Sequence, residues 1–122
     1  MKKILIIEDN ELNMKLFFDI LSYQGFFVEK AYDGEEGLRL AKEESPDLIM
    51  LDVMMPKING YKICRLLKFD SRYKNIPIIM VTARGQEQDI AIGEETGADE
   101  YITKPFEFSN VFEKIEKHLK VN

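Results

Sequence analysis

The chain has 122 residues, 45% of them hydrophobic and 32% charged, with a net charge of -5. That length suits one domain, residues 1–122, burying about two-thirds of the surface its unfolded form exposes, and the composition is that of a folded protein rather than a disordered one. No apolar run approaches the ~20 residues of a membrane span, residues 1–9 turn acidic too soon for a signal peptide, and nucleic-acid binding needs a basic stripe that an acidic chain lacks.

A cytoplasmic protein with protein or metal partners is therefore expected. The single cysteine, Cys64, permits neither an internal disulfide nor a zinc cluster, and its neighbours Ile63, Leu66 and Leu67 predict packing within a helix.

Lys3-Ile4-Leu5-Ile6-Ile7 reads as a strand covered on both faces that stops at Glu8-Asp9. Asn10 can cap the next helix, in which Leu12, Leu16 and Ile20 lie four apart and Phe17 and Leu21 widen the same stripe; Gly25 ends it. Residues 26–31 predict a second strand. Asp33-Gly34-Glu35-Glu36 opens a helix carrying Leu38, Leu40 and Ala41, which stops before Ser45-Pro46.

Leu48-Ile49-Met50-Leu51 predicts a buried third strand that delivers Asp52 to a loop marked by Pro56 and Gly60. A helix over 61–69 carries Ile63, Leu66 and Leu67, and the apolar run 76–81 predicts a fourth strand ending at Thr82. Gln86 to Thr96 predicts a marginal, mobile helix, because Ile90 and Ile92 are its only large apolar residues and Gly93 costs ~1 kcal/mol relative to Ala. Gly97 stops it, Tyr101-Ile102-Thr103 forms a short fifth strand, and Lys104-Pro105 follows.

The last helix, from Phe108 to about Val121, has Val111, Phe112, Ile115 and Leu119 on one face. Glu113–Lys117 and Glu116–Lys120 are expected as pairs outside, with His118 at the surface.

Strands alternating with helices imply an α/β fold, a doubly wound five-stranded parallel sheet with helices on both faces. In such a sheet ligands sit outside the carboxyl ends of the strands. Glu8, Asp9, Asp52, Thr82 and Lys104 then share one edge. Each of these residues taken singly is ordinary: a solvated lysine, a capping hydroxyl, a turn aspartate. Together they are not.

Three converging carboxylates repel one another and suit a hard cation held through oxygen, with Mg²⁺ the natural candidate and a backbone carbonyl just after Asp52 as a further ligand. Lys104 supplies a positive charge, and Thr82 a hydroxyl, for phosphoryl oxygens. These are the parts of phosphoryl transfer to a carboxylate.

Glu8-Asp9, Leu51-Asp52 with Met55-Pro56 and Gly60, Val81-Thr82-Ala83, and the run from Gly97 to Phe106 (Gly-Ala-Asp-Glu-Tyr-Ile-Thr-Lys-Pro-Phe) together resemble the receiver domain of two-component response regulators. Residues 8–17 are also similar to stand-alone regulators of bacterial cell division. The resemblance implies a flavodoxin-like (βα)5 receiver of strand order 2-1-3-4-5 and phosphorylation of Asp52 by a phosphohistidine. It further implies Asp9 and Asp52 as Mg²⁺ ligands, Glu8 reaching the ion through water, and Met54 through its backbone carbonyl. Lys104 and Thr82 would hold the phosphoryl group. Tyr101 would be the switch aromatic that follows Thr82, and the peptide before Pro105 would be cis.

The expected partners are a histidine kinase or histidine phosphotransfer protein and a downstream protein target, met through Gln86 to Thr96, the fifth strand and the last helix. The chain itself would be a monomer or a phosphorylation-dependent dimer, with no direct nucleic-acid or membrane contact. Met54 and Arg84 would flank the path of attacking water, and slow self-dephosphorylation is expected because neither is a water-activating carboxylate or amide. No DNA-binding or enzymatic output domain is expected within the chain, which would be either a single-domain regulator or a piece of a longer one.

Two other classes are weighed against this signalling, non-enzymatic reading. An aspartyl-nucleophile phosphohydrolase needs a second acid two residues past the nucleophile, where Met54 stands, and a cap for which no segment remains. A pseudo-receiver acting without phosphorylation would have no use for all five edge residues.

Overall fold

The computed structural model describes residues 1–53, 55, 58–83 and 97–119. Among them are five strands, β1 (Lys3–Ile7), β2 (Phe27–Ala31), β3 (Leu48–Asp52), β4 (Ile78–Ala83) and β5 (Glu100–Lys104), and four helices, α1 (Glu11–Tyr23), α2 (Gly34–Glu43), α3 (Gly60–Lys68) and α4 (Phe108–Leu119). Every neighbouring pair of strands is parallel and the order is β2-β1-β3-β4-β5. The doubly wound parallel sheet expected from the apolar runs is the one observed. The expected helix over Gln86 to Thr96 lies outside the described residues, as do Met54, Arg84 and Lys120 to Asn122.

Alternation along the strands divides the core in two. Ile4, Ile6, Leu48, Met50, Ile79 and Val81 meet α1 and α4 on one face; Leu5, Ile7, Ile49, Leu51, Ile78 and Met80 meet α2 and α3 on the other. Polar side chains serve as helix caps. Asn10 Oδ1 accepts from the amide of Asn13, Asp33 Oδ1 from that of Glu36, and Asn59 Oδ1 from that of Lys62, so each helix start satisfies a donor the helix cannot. Cys64 is fully buried in α3, as its neighbours predict.

The buried face of α1 keeps Phe17 and Leu21, as expected, but not Leu12 and Leu16. Leu12 is 79% exposed and Leu16 45%, whereas Met14, Phe17 and Leu21 are buried. At 100° per residue the core face is centred roughly 130° from the Leu12-Leu16-Ile20 line, on the side where Phe17 and Leu21 were expected to widen it. Burying a Met, Phe or Leu side chain contributes about 1.5–3 kcal/mol each, and only the observed rotation brings Phe17 onto the aromatic rings of residues 106 and 108.

The last helix also differs in its charges. Lys117 reaches Glu100 of β5 at 2.8 Å rather than Glu113, and His118 is not a free surface residue, its Nε2 lying 2.9 Å from Glu100 Oε2. With Lys114 at 3.3 Å, three basic side chains of α4 converge on one carboxylate of the edge strand. Strand β4 starts two residues later than the apolar run, with Ile76 and Pro77 preceding it.

Candidate functional site

Parallel pairing brings the carboxyl ends of the strands to one edge. Glu8 follows β1, Asp52 closes β3 opposite Val81, Thr82 lies opposite Thr103, and Lys104 closes β5 opposite Ala83. All five polar residues singled out in the sequence come to this edge. Asp9 is exposed, while Glu8, Asp52 and Thr82 are buried.

The carboxylates converge. Glu8, Asp9 and Asp52 each offer an oxygen within 4.8 Å of the others. The Lys104 Nζ stands 3.7 Å from Glu8 Oε1 and 3.7 Å from Asp52 Oδ2, balanced between them and beyond hydrogen-bond length of either. Glu8 is held on its other side, where Oε2 accepts from the Asn10 amide at 3.1 Å. Burial pushes the Glu8 carboxyl up to about 7. The Asn10 amide opposes that push, the adjoining Asp52 adds to it, and Lys104 relieves part of it.

Among the described residues one cation faces three acids, which leaves the edge short of positive charge. Among the described residues Glu8 Oε1 is buried without a hydrogen-bond partner, and the donor set they offer is one of carboxylate oxygens, the ligands a hard divalent cation takes. The site therefore fits Mg²⁺. Met54, whose carbonyl was expected to join it, lies outside the described residues.

Thr82 Oγ1 is likewise buried with no hydrogen-bond partner among the described residues, although a buried hydroxyl ordinarily finds one. Tyr101, opposite Met80 on β5, is half-buried against the α2/α3 side of the core with its hydroxyl inside. The Lys104–Pro105 peptide is cis.

Three features escaped the sequence. Glu8, expected to act at a distance, is strongly perturbed by its surroundings, first by burial and then by the adjoining Asp52. Gly60 does more than turn the loop: a Cβ there would stand 2.5 Å from the Asp52 carbonyl oxygen and 2.9 Å from Val53 Cα, so only glycine lets α3 begin against the Asp52 backbone. Its spacing from Asp52 was the available signal. The third is the aromatic packing of Phe17 on the turn after Lys104, which no local pattern announces.

A family model for the response regulator receiver domain matches residues 4–116. The chain is 42% identical over 120 residues to the DNA-binding dual master transcriptional regulator RpaA of Synechocystis, covering 98% of this chain but only 50% of that protein. It is 40% identical over 121 residues to the polar-differentiation response regulator DivK of Brucella anthropi, covering 97% of this chain and 96% of that one. Among solved structures, the signal receiver domain of a signal transduction histidine kinase from Syntrophus aciditrophicus superposes with a TM-score of 0.92 at 33% identity, covering 98% of this chain and 91% of that one. With its family match, its flavodoxin-like strand order and its acidic strand-end cluster, the chain belongs to the response regulator receiver domains, the phosphoacceptor modules of two-component signalling.

Proposed function

We propose that Asp52 is the phosphoacceptor and that residues 1–122 work as one receiver unit. The observation that carries this is the convergence at Asp52: two further carboxylates within 4.8 Å, one lysine 3.7 Å away, and a buried threonine hydroxyl on the next strand. An Asp52 carboxylate oxygen attacks the phosphorus of a phosphohistidine on a kinase or phosphotransfer protein. The phosphorus–nitrogen bond breaks, its electron pair returns to the imidazole, and an aspartyl phosphate remains.

Asp9 and Asp52 would hold Mg²⁺ directly and Glu8 through water; when bound, the ion supplies charge neutralisation for the phosphoryl oxygens. Lys104 gives those oxygens a positive point charge, and the Thr82 hydroxyl donates to another, each being drawn inward by the nearly two negative charges added. Tyr101 is the element that reads the movement of Thr82, and β5 with α4 forms part of the face presented to a downstream protein. Cytoplasmic residence goes with a kinase-fed regulator, and no described helix is long and apolar enough to cross a membrane.

Intact mass after incubation with Mg²⁺ and acetyl phosphate tests the reading. One base-labile phosphoryl adduct is expected in the wild type and none in Asp52→Asn. An adduct that persists in the variant, or none in either protein while a histidine kinase also fails to donate, overturns it.

A further inference from the structure

Beyond the edge itself, three aromatic rings close into a triangle. Phe17 of α1 stacks on Phe106, two residues past Lys104, with centroids 5.0 Å apart and planes at 17°. Phe108, the first residue of α4, meets Phe106 edge-on at 5.3 Å and Phe17 at 6.3 Å, and Phe112 extends the group at 6.2 Å from Phe108. Phe17 is 2% exposed, and Phe106 and Phe108 are half-buried. The turn joining β5 to α4 is thus fastened to α1 by ring contacts on both sides of residue 107.

Lys104 opens that turn. Its Nζ makes no contact with Glu8 or Asp52 shorter than 3.7 Å, so its place between them is not set by a direct hydrogen bond to either. A lysine side chain is long and rotatable, and the location of its head follows from where its backbone is anchored. On the amino side that anchor is the β4–β5 pairing, with Lys104 opposite Ala83. On the carboxyl side it is the ring triangle.

We infer that Phe17 and Phe106 are positioning residues for Lys104: their stack fixes the turn after β5 so that Nζ stays centred between the carboxylates of β1 and β3. This rests on the proposed role of Lys104 in phosphoryl uptake. Neither ring touches the reacting atoms. Misplacement of a reacting group by a fraction of an ångström to an ångström costs one to two orders of magnitude in rate, so loss of the stack should slow uptake by about tenfold while leaving the metal ligands where they are.

The test compares wild type, Phe17→Leu, Phe106→Leu and Phe106→Tyr. Three quantities are read: phosphorylation rate from acetyl phosphate, Mg²⁺ affinity by titration, and the ¹³Cε signal of Lys104 in lysine-labelled protein. Phe17→Leu and Phe106→Leu should each take up phosphoryl about tenfold more slowly, shift the Lys104 signal, and bind Mg²⁺ within twofold of wild type. Phe106→Tyr, which keeps the half-buried ring, should restore both rate and signal. Should Phe17→Leu fail to fold because its ring is in the core, the half-buried Phe106 pair decides the matter alone.

Unchanged rates and an unmoved Lys104 signal in Phe106→Leu overturn the inference, as does a rate that falls only in step with Mg²⁺ affinity. A wild type that accepts no phosphoryl group defeats the phosphoacceptor reading instead. The Lys104 signal then still reports whether the rings position it.

Discussion

Replacing Glu8 with Gln probes a buried carboxyl whose ionisation its surroundings disfavour. Its carboxyl is raised from 4.5 to about 7, first by burial and then by the adjoining Asp52. A raised carboxyl binds its proton more tightly in the folded state than in the unfolded one, so its contribution to stability is complete below the unfolded value of 4.5 and is lost as pH rises through about 7. At 1.36 kcal/mol per pKa unit the whole shift corresponds to about 3 kcal/mol, most of which falls between pH 5 and pH 8.

Gln keeps the shape of the protonated acid and cannot ionise. In EDTA, urea unfolding of wild type and Glu8→Gln should give nearly equal stabilities at pH 5, with the variant more stable by about 2–3 kcal/mol at pH 8. Added Mg²⁺ should narrow the gap at pH 8 by stabilising the ionised wild type. A difference between the two proteins that stays flat from pH 5 to pH 8 would show that Glu8 ionises freely, and the account of a charge-starved edge would fail with it.

Two further substitutions test the supports of the edge. Gly60→Ala puts a methyl group 2.5 Å from the Asp52 carbonyl oxygen, so it should cost about 1–3 kcal/mol in urea unfolding and slow phosphoryl uptake by displacing the Asp52 loop; wild-type values in both assays would refute the close approach. Glu100 is held down to about 2, chiefly by Lys117 and further by His118 and Lys114. Glu100→Gln should therefore cost about 1–2 kcal/mol above pH 4.5, with the gap to wild type closing as pH falls toward 2; a pH-independent gap would mean packing rather than charge joins α4 to β5.

The sheet was legible because each apolar run ends in a polar residue of a kind the run itself does not explain. Leu51-Asp52, Ile7-Glu8 and Val81-Thr82 mark strand ends as surely as they mark a site, and parallel topology then brings them to one edge. The face of α1 was not legible. Leu12, Leu16 and Ile20, widened by Phe17 and Leu21, form a broad stripe, and which of its edges is buried depends on Phe106 and Phe108, which meet the helix only in the folded chain. The pairing of Lys117 was hidden for the same reason. Helical spacing offered Glu113, but Glu100 of the adjacent strand also draws Lys114 and His118, and a carboxylate shared among three basic groups outcompetes an exposed pair worth a few tenths of a kcal/mol. Glu8 shows the limit most sharply, since a carboxyl's charge state depends on distances between strand ends that sequence spacing does not encode.

These contacts also determine where β5 can yield. Its amino end is tied twice. Lys68 of α3 reaches Asp99 Oδ2 at 2.8 Å and the Ile76 carbonyl at 3.1 Å, while the same Asp99 oxygen accepts from the Ile78 amide at 2.8 Å. Next to it, Glu100 is bound by three basic residues of α4. Its carboxyl end carries Lys104 and is held by the ring contacts of Phe17, Phe106 and Phe108 rather than by charged hydrogen bonds. A new negative charge on Asp52 would pull on Lys104 at this end. Displacement is then absorbed between the fixed Glu100 and the ring triangle, over Tyr101 to Lys104, the stretch that holds the aromatic proposed to follow Thr82. The asymmetry of the two anchors, ionic at one end and aromatic at the other, would give a charge event at β3 a direction along β5.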